Sequence, residues 1–450
     1  MSDAKTSVRT GYASLVLAVL VLVYAFNFMD RYIFVIMMES IKKDLGLSDT
    51  QLGLVSGVAF SSVYSLSGLA MAYRADVGNR RTIIACGLAA WSVLTGLCGL
   101  AGNFVQLLIA RMGVGIAEST CSPPAHSLLA DLFPPRHRAL AFSIYSAGLP
   151  LGLALGFVFG GWIGARWGWR AAFVAGAIPG LLLAPIMRLV VREPMRGGAE
   201  AGQFDSRIYS VRAALSYMGL RPSFVAYMTG AALYNMASSA VDYWGPLFLI
   251  RVHRMPSEQV GLWSGVLAST GGLTGGLLAG WLADRLAVRD VRWNLGVSTL
   301  GIAMVVPLTL LFIGNNPGGA LWVLYFFVAF FNSFSMPPTI AITQRLVPIR
   351  MRSLASAVML LGYNFIGIAG CSFVIGFFSD LWARTSHEHS LAQAMALTQI
   401  AALLGVVCMT YAIFRMPQDF PEHFAPKPPM RRFSAFAADC ARQITARIRL

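Results

Sequence analysis

The stretch SPPAHSLLADLFPPRHRALAFSIYSAG, Ser122 to Gly148, recurs as MPPTIAITQRLVPIRMRSLASAVMLLG, Met336 to Gly362. Each copy begins with a proline pair, and both continue through Pro-x-Arg-x-Arg to a glycine at the same 214-position offset. Two homologous halves in an apolar chain are typical of membrane proteins built from internal repeats. In such proteins the binding site lies where the halves meet, so differences between the copies indicate where the chemistry is.

The composition predicts a chain that lies almost entirely in a bilayer. Of its 450 residues 56% are hydrophobic and only 12% are charged, against about 25% charged in soluble domains. A spanning helix needs roughly 20 mostly apolar residues. We expect an all-α polytopic membrane protein of twelve transmembrane helices in two pseudo-symmetric six-helix bundles. The predicted spans are residues 13–38, 51–73, 82–102, 104–131, 139–165, 169–191, 223–250, 258–283, 293–314, 319–346, 353–382 and 391–415.

The predicted spans divide the chain into four parts. Residues 1–191 form the first bundle, 192–222 a cytoplasmic linker, 223–416 the second bundle and 417–450 a basic cytoplasmic tail. The tail reads equally well as an interfacial amphipathic helix or as a disordered segment. Lys and Arg are concentrated in the segments on the side of both termini, so the positive-inside rule predicts cytoplasmic termini. The net charge of +15 is therefore a topology signal rather than a sign of nucleic-acid binding.

The residue pattern gives no sign of cofactor binding or of enzyme catalysis. The six cysteines and six histidines show neither a CxxC pair nor a metal-ligand spacing. No nucleophile–base set accompanies them. His126 lies in a span, where a hydrogen-bonded packing role competes with a proton-carrier role. We expect no cofactor and no enzymatic activity.

Two ten-residue segments resemble a known transporter signature. AYRADVGNRR (Ala72 to Arg81) and GWLADRLAVR (Gly280 to Arg289) are similar to the major facilitator superfamily motif G-x-L-A-D-R-x-G-R-K. Within that superfamily FNFMDRYIF (Phe26 to Phe34), DLGLSDTQLGL (Asp44 to Leu54) and RMGVGIAEST (Arg111 to Thr120) resemble the spinster family. The resemblance implies a transporter of lysophospholipids or sphingosine phosphate, coupled to protons. We expect a monomer in a bacterial inner membrane.

Charged residues inside the spans indicate the coupling site. Asp30 and Arg111 lie at matching depths of the first and fourth spans, about 12 Å below the boundary away from the termini. An Asp30–Arg111 pair is therefore sterically plausible. Glu118 follows Arg111 by two helical turns on the same face. Ionisable groups at this depth usually mark a pathway. Two carboxylates that compete for one arginine can load and release a proton when helices shift, although an ion pair that only locks the helices together is the alternative.

The second half replaces these charges with neutral groups. At the 214 offset Arg111 returns as Tyr325 and Glu118 as Asn332, while Asp242 takes a position like that of Asp30. The head of a ligand is expected to meet Arg111 and polar groups near the membrane middle. The predicted substrate-binding residues are Asn27, Tyr64, Arg111, Tyr234, Asn235, Asp242, Asn332, Tyr363 and Asn364.

A second set of charges lies at the cytoplasmic helix ends and predicts a gate. An aspartate there can accept bonds from the N-terminus of a helix in the opposite half. The predicted gating residues are Asp76, Arg80, Arg81, Arg136, Arg138, Asp284 and Arg285. Simple positive-inside anchoring is the alternative.

These features favour a secondary active transporter that works by alternating access on an amphipathic lipid. A proton-coupled symporter or exporter of a small organic anion or drug remains the rival within transport, with Arg111 on the substrate carboxylate. A passive lipid scramblase or a receptor-like membrane protein would need no proton-linked triad.

Overall fold

The computed structural model of the chain describes residues 2–194, 211–316, 318–348, 351–386 and 389–421. It is helical throughout these ranges, which contain no strand. Most of the predicted linker and tail, including the possible amphipathic helix, lies outside the described residues. The fold class predicted from composition and repeats is confirmed.

The first six spans, α1 to α6, follow the predicted order. The long helix that follows α4 changes direction at Gly168, where φ is 81°, and its two arms are α5 (to residue 167) and α6 (169–190). The segments are Ser2–Leu45 (α1), Asp49–Gly53 with Leu54–Ala59 and Phe60–Val77 (α2), Arg80–Cys98 (α3), Phe104–Glu118 with Ser122–Leu132 (α4), and Pro135–Ser146 with Gly148–Val190 (α5 and α6).

The linker helix Val211–Gly219 precedes α7 to α12. Ten stretches of the described residues are long and apolar enough to cross a membrane. One of them, Leu140–Val190, holds both α5 and α6, and α7 is a further span interrupted by a π turn. The segments are Pro222–Ser239 with Ala240–Trp244 and Gly245–Arg251 (α7), Ser257–Ala287 (α8), Trp293–Gly314 (α9), Gly319–Asn332 with Met336–Leu346 (α10), Arg352–Gly362 with Tyr363–Ala369 and Gly370–Ser386 (α11), and Ser390–Asp419 (α12).

The sequence repeat is also a backbone repeat. Helix α4 breaks after Glu118 and restarts at Ser122, while α10 breaks after Asn332 and restarts at Met336. Both restarts carry proline at the first helical positions. Proline lacks a backbone N–H and clashes with the preceding turn, so it starts helices readily and interrupts them elsewhere. The proline pairs therefore impose the same bend on both halves.

Glycines allow the closest helix contacts. A Cβ placed on Gly152 of α5 would lie 2.1 Å from the carbonyl oxygen of Ala25 in α1, and one on Gly156 2.6 Å from that of Met29. A similar contact joins the two halves, because a Cβ on Gly261 of α8 would lie 2.3 Å from the Phe157 carbonyl oxygen in α5. Small residues permit such backbone approach in membranes.

Candidate functional site

A buried ion pair between α1 and α4 forms the centre of the candidate site. The Arg31 Nε donates to Glu118 Oε2 over 2.7 Å. Arg31 also donates through Nη2 to the Asn27 side-chain oxygen at 3.1 Å, one turn back on α1. Glu118 has no exposed side-chain surface. A carboxylate at this depth is costly unless it is paired, so Arg31 compensates the Glu118 charge.

Aromatic rings enclose both buried arginines. The Arg31 guanidinium carbon lies 4.6 to 4.8 Å from the ring centres of Phe28, Phe60 and Tyr64. The Arg111 guanidinium lies 4.6 Å from Phe34 and 5.0 Å from the same Phe60 ring. Ring faces attract cations, more strongly where water is excluded. Phe60 of α2 therefore contacts both arginines with one ring.

Asp30 lies on the other side of α1 from this pair. Its Oδ2 accepts a hydrogen bond from the Thr95 hydroxyl of α3 at 3.0 Å, and its Oδ1 would lie 3.7 Å from a Cβ on Gly176 of α6. Asp30 still interacts electrostatically with Glu118 and with both arginines. The structure therefore groups the three predicted coupling residues, but no ion pair joins Asp30 to Arg111 within the described chain.

Several polar atoms of this cluster have no hydrogen-bond partner in the described chain. They are Asp30 Oδ1, Glu118 Oε1, and Nε and Nη1 of Arg111. Buried polar atoms are nearly always satisfied in native proteins, and exceptions often mark functional positions. Two carboxylates and two arginines thus form one electrostatic unit with spare donors and acceptors. Such a unit can exchange a proton or bind an anionic group.

The second half presents a counterpart without arginine, in which an aspartate pairs with an asparagine. The Asn332 Nδ2 of α10 donates to Asp242 Oδ2 of α7 at 2.7 Å. The Tyr234 hydroxyl lies 3.0 Å from the Phe331 carbonyl oxygen and 2.8 Å from that of Asn332, at the break of α10. Asp242 lies in the π turn of α7, and π turns are frequent at functional sites. The bond between Asp242 and Asn332 unites two predicted ligand residues on different helices.

The halves meet at the centre through Tyr32 of α1 and Tyr243 of α7, whose rings are 6.1 Å apart.

Of the other predicted ligand residues, Asn27 and Tyr64 contact Arg31. The Asn235 side chain donates to the Tyr363 carbonyl oxygen at 2.8 Å. The Tyr363 hydroxyl forms a hydrogen bond with Ser335 at 2.8 Å.

Asn364 is placed differently from this group. Its side chain bonds the Leu360 carbonyl oxygen of its own helix at 2.9 Å. That bond satisfies the amide locally, so the structure does not connect Asn364 with the central polar groups.

An ionic cluster joins the two halves at the end of the bundle opposite the linker, here called the loop end. Arg251 of α7 donates to both oxygens of Asp49, at 2.7 and 2.9 Å, and to Glu39 at 2.8 Å. Asp380 of α11 accepts from the backbone N–H groups of Asp49 and Thr50 at 2.9 and 2.7 Å. The carboxylate of Asp380 thus caps the N-terminus of α2, where anions are stabilised. The loop end is closed.

The predicted gating residues lie at the other end, here called the terminal end, and the following hydrogen bonds join them to residues of their own half. Arg80 is buried and donates to Asp131 and Glu193. Arg81 bonds Glu193 through its backbone N–H. Arg138 donates to the Ala130 carbonyl oxygen. Asp284 and Arg285 are exposed, and Arg285 lies over the Trp281 ring. The side chains of Asp76 and Arg136 lie outside the described residues.

Sequence reasoning missed two features of this site. Arg31 is not among the predicted site residues, although it directly follows Asp30 and carries the ion pair with Glu118. The loop-end cluster was also missed. Its signal was available, since Asp49 and Arg251 are opposite charges at span ends, but the pairing of residues some 200 positions apart requires the fold.

Comparison with known proteins agrees with this geometry. A family model described as the Major Facilitator Superfamily matches residues 20–371. An "MFS-type efflux pump" of Mycolicibacterium smegmatis is 33% identical over 409 residues, 90% of this chain and 93% of that protein. Human "Protein spinster homolog 1" is 27% identical, covering 91% of this chain and 82% of its own. The "Sphingosine-1-phosphate transporter SPNS2" of Danio rerio is 28% identical over 50% of this chain and 45% of that protein.

A solved structure supports the same relationship. The crystal structure described as a bacterial homolog to human lysosomal transporter, Spinster, in an inward-facing and unoccupied conformation superposes with a TM-score of 0.82. It is 26% identical, and the match covers 91% of this chain and 98% of that one.

Proposed function

Because the chain belongs to the major facilitator superfamily, and within it to the spinster family of transporters, we propose that it is a proton-coupled secondary transporter. It moves lysophospholipid or sphingosine-phosphate-like lipids by alternating access. The observation that carries the proposal is the buried cluster of Asp30, Arg31, Arg111 and Glu118 in one half, whose counterpart in the other half is the Asp242–Asn332 pair.

Proton coupling follows from the composition of the cluster. Two arginines can balance two ionised carboxylates, so a helix movement that separates one pair leaves a carboxylate uncompensated at low dielectric. That carboxylate then takes up a proton, because burial without a partner disfavours the charged form. Glu118, which already pairs with Arg31, is the residue whose proton follows the position of α1 relative to α4. Asp30 and Glu118 titrate as a coupled unit.

Alternating access requires one end to open when the other closes. With cytoplasmic termini in a bacterial inner membrane, as the basic residues favour, the closed loop end faces outward and the conformation is inward-facing. The crystallised spinster homologue is also described as inward-facing. Opening outward breaks the Arg251–Asp49 contact, and contacts at the terminal end then replace it. Asp76 and Asp284, with Arg80, Arg81, Arg136, Arg138 and Arg285, are the proposed members of that inner layer.

The substrate proposal rests on the asymmetry of the halves. An anionic head is attracted by Arg31 and Arg111 of the first half, and Asn27, Tyr64, Asp242 and Asn332 supply hydrogen-bonding groups around it. The acyl chain lies among apolar residues of the second half in this proposal. The name of the zebrafish relative, a sphingosine-1-phosphate transporter, agrees with such a substrate. The name of the mycobacterial relative, an efflux pump, favours export of drugs or organic anions as the second candidate.

Proteoliposomes with an imposed pH gradient test the proposal. Uptake and efflux are measured for lysolipids that differ only in chain length, against a short-chain phosphate and an organic anion. Each buried methylene contributes about 0.8 kcal/mol when it leaves water, so apparent affinity should rise with chain length until the slot is full. Equal affinity along the series favours the organic-anion exporter. Lipid movement that is the same with and without the pH gradient, and the same in the Glu118→Gln variant, indicates a scramblase.

A further inference from the structure

A groove of about 690 Å³ lies on the first half, at the terminal end. Helices α2 and α3 form its sides, through Met71, Ile83, Cys86 and Ala90, and α4 forms its floor. Cys86 and Ile116 are exposed there, so the groove opens on the outside of the protein. Its volume is within the range of small-molecule sites.

The groove lies on the opposite side of α4 from the transport site. Successive helical residues are rotated by about 100°. The floor residues Gly113 and Ile116 therefore project roughly opposite to Arg111 and Glu118. The groove is thus a separate site rather than a branch of the central cavity.

Several positions that line the groove carry larger side chains in the second half. Five lining residues of the first half return as larger ones, whereas Ile83 returns as the smaller Val297 and Gly87 as Gly301. The pairs at the 214 offset are Cys86 and Leu300, Ala90 and Met304, Gly113 and Phe327, Ala117 and Phe331, Thr120 and Phe334.

The larger residues of the second half pack as a core. Phe334 is buried with Ala279, Ala283 and Val297, and Phe330 and Phe331 pack against the same cluster. The equivalence is structural as well, since a Cβ on Gly87 would meet Thr120, and one on Gly301 would meet Phe334. A space that one half fills with phenylalanine is therefore kept open in the other.

The groove ends in a positive charge. Arg74, near the C-terminal end of α2, lines it, with Asn79 and Thr82 alongside. Asn79 caps α3 by accepting from the Thr82 backbone N–H at 2.9 Å. In the alignment of the two ten-residue motifs, which pairs Asp76 with Asp284, the counterpart of Arg74 is Leu282. Leu282 packs against the apolar cluster of the second half. The first half therefore combines an apolar slot with a cationic end.

We propose that this groove binds an anionic phospholipid of the surrounding bilayer, with one acyl chain in the slot and the phosphate at Arg74. Lipid tails are as apolar as the groove, so burial alone does not select a lipid. Filling the slot recovers packing contacts that an open depression lacks, and the charge of Arg74 selects an anionic head. The basic tail of the chain is a poorer occupant, because its Arg431, Arg432 and Arg442 would be repelled by Arg74.

Cys86 provides a reporter inside the groove. In a Cys408→Ser, Cys440→Ser background, Cys86 is the exposed thiol, since Cys98, Cys121 and Cys371 are buried. Alkylation by a membrane-permeable maleimide is measured in phosphatidylcholine vesicles with and without phosphatidylglycerol. We expect phosphatidylglycerol to slow the reaction by about fivefold, as one basic contact near a membrane surface allows. Arg74→Leu should lose this protection, while Arg289→Leu, an exposed arginine at the same end of the second half, should keep it.

A second variant copies the filled half. Ala117→Phe should remove the lipid dependence of Cys86 labelling and reduce the phosphatidylglycerol retained in native mass spectra. Val174→Phe, on an exposed position of α6, should change neither. Equal labelling in both vesicle types would overturn the proposal, as would equal loss of protection in Arg74→Leu and Arg289→Leu. Protection that disappears on deletion of residues 422–450 would assign the groove to the tail and overturn it too. None of these readouts depends on transport.

Discussion

Helices α4 and α10 have the same backbone and opposite chemistry. Their segments begin, break and restart at the same repeat positions. Arg111 and Glu118 of α4 are buried charges, whereas their counterparts on α10 are Tyr325, buried among aromatic rings, and Asn332. The comparison teaches that repeated prolines and glycines maintain the fold while side chains diverge. Under the proposed function, the charges of α4 and their absence at the same positions of α10 place the coupling site in the first half.

The largest expected effect comes from making α4 neutral like α10. Glu118→Gln keeps a hydrogen-bond acceptor for Arg31 but cannot exchange a proton. Accumulation driven by a pH gradient should fall to the level of protein-free vesicles, while substrate binding by the purified protein persists. Glu258→Gln is the matched control, since Glu258 pairs with Arg166 on the exposed loop end. Normal pH-dependent accumulation by the Glu118 variant would make the cluster purely structural.

Removal of Arg31 should be the most destabilising change in the site. Arg31→Ala leaves Glu118 buried and unpaired, which typically costs about 3–5 kcal/mol. Protonation of Glu118 neutralises that charge, so the deficit should be largest at high pH and shrink as pH falls. Thermal unfolding in detergent across a pH series measures it. Tyr243→Ala, at the corresponding position after Asp242, should give a deficit that does not vary with pH. Parallel pH behaviour of the two variants would contradict the pairing of Arg31 with Glu118.

The glycine contacts offer a medium-sized test of the repeat. A Cβ on Gly87 would lie 1.7 Å from Thr120 Oγ1, and one on Gly301 2.5 Å from Phe334 Cβ. Gly87→Ala and Gly301→Ala should each destabilise by about 1–3 kcal/mol, the usual cost of overpacking. Thr120→Ala should partly rescue the first, because it removes the clashing oxygen. Phe334→Ala retains the clashing Cβ, so it should not rescue the second. Rescue of both, or of neither, would mean that the helix contacts differ from those described.

The smallest expected effect concerns the terminal end. Asp284→Ala removes an exposed carboxylate whose proposed role is a helix-end contact in the outward-facing state. The shift should be modest, since such a contact contributes about 0.3–1 kcal/mol. Spin labels across the terminal end should report a population shift toward the inward-facing state. Asp290→Ala is the control, because Asp290 pairs locally with Arg292. The hydrogen bond from the Arg292 side chain holds the pKa of Asp290 below its usual value. An unchanged distance distribution in Asp284→Ala would remove Asp284 from the gate.

The sequence by itself determined the twelve spans, the two halves and the position of the polar differences between them. Bilayer thickness imposes the length of each apolar run, and the proline pairs impose the breaks. For the same reasons Asp30, Arg111 and Glu118 could be selected as buried charges, and Asp242 and Asn332 as their polar counterparts.

Only the tertiary structure decided which of these groups are partners. Depth along a helix predicted Asp30 beside Arg111, but the rotation of α1 directs Asp30 toward Thr95 and Arg31 toward Glu118. Neighbouring residues on a helix point about 100° apart, so one position of rotation changes the partner. The loop-end cluster and the groove beside α4 likewise depend on how helices distant in sequence pack. Pairwise contacts of that kind are a property of packing and are not encoded in any single span.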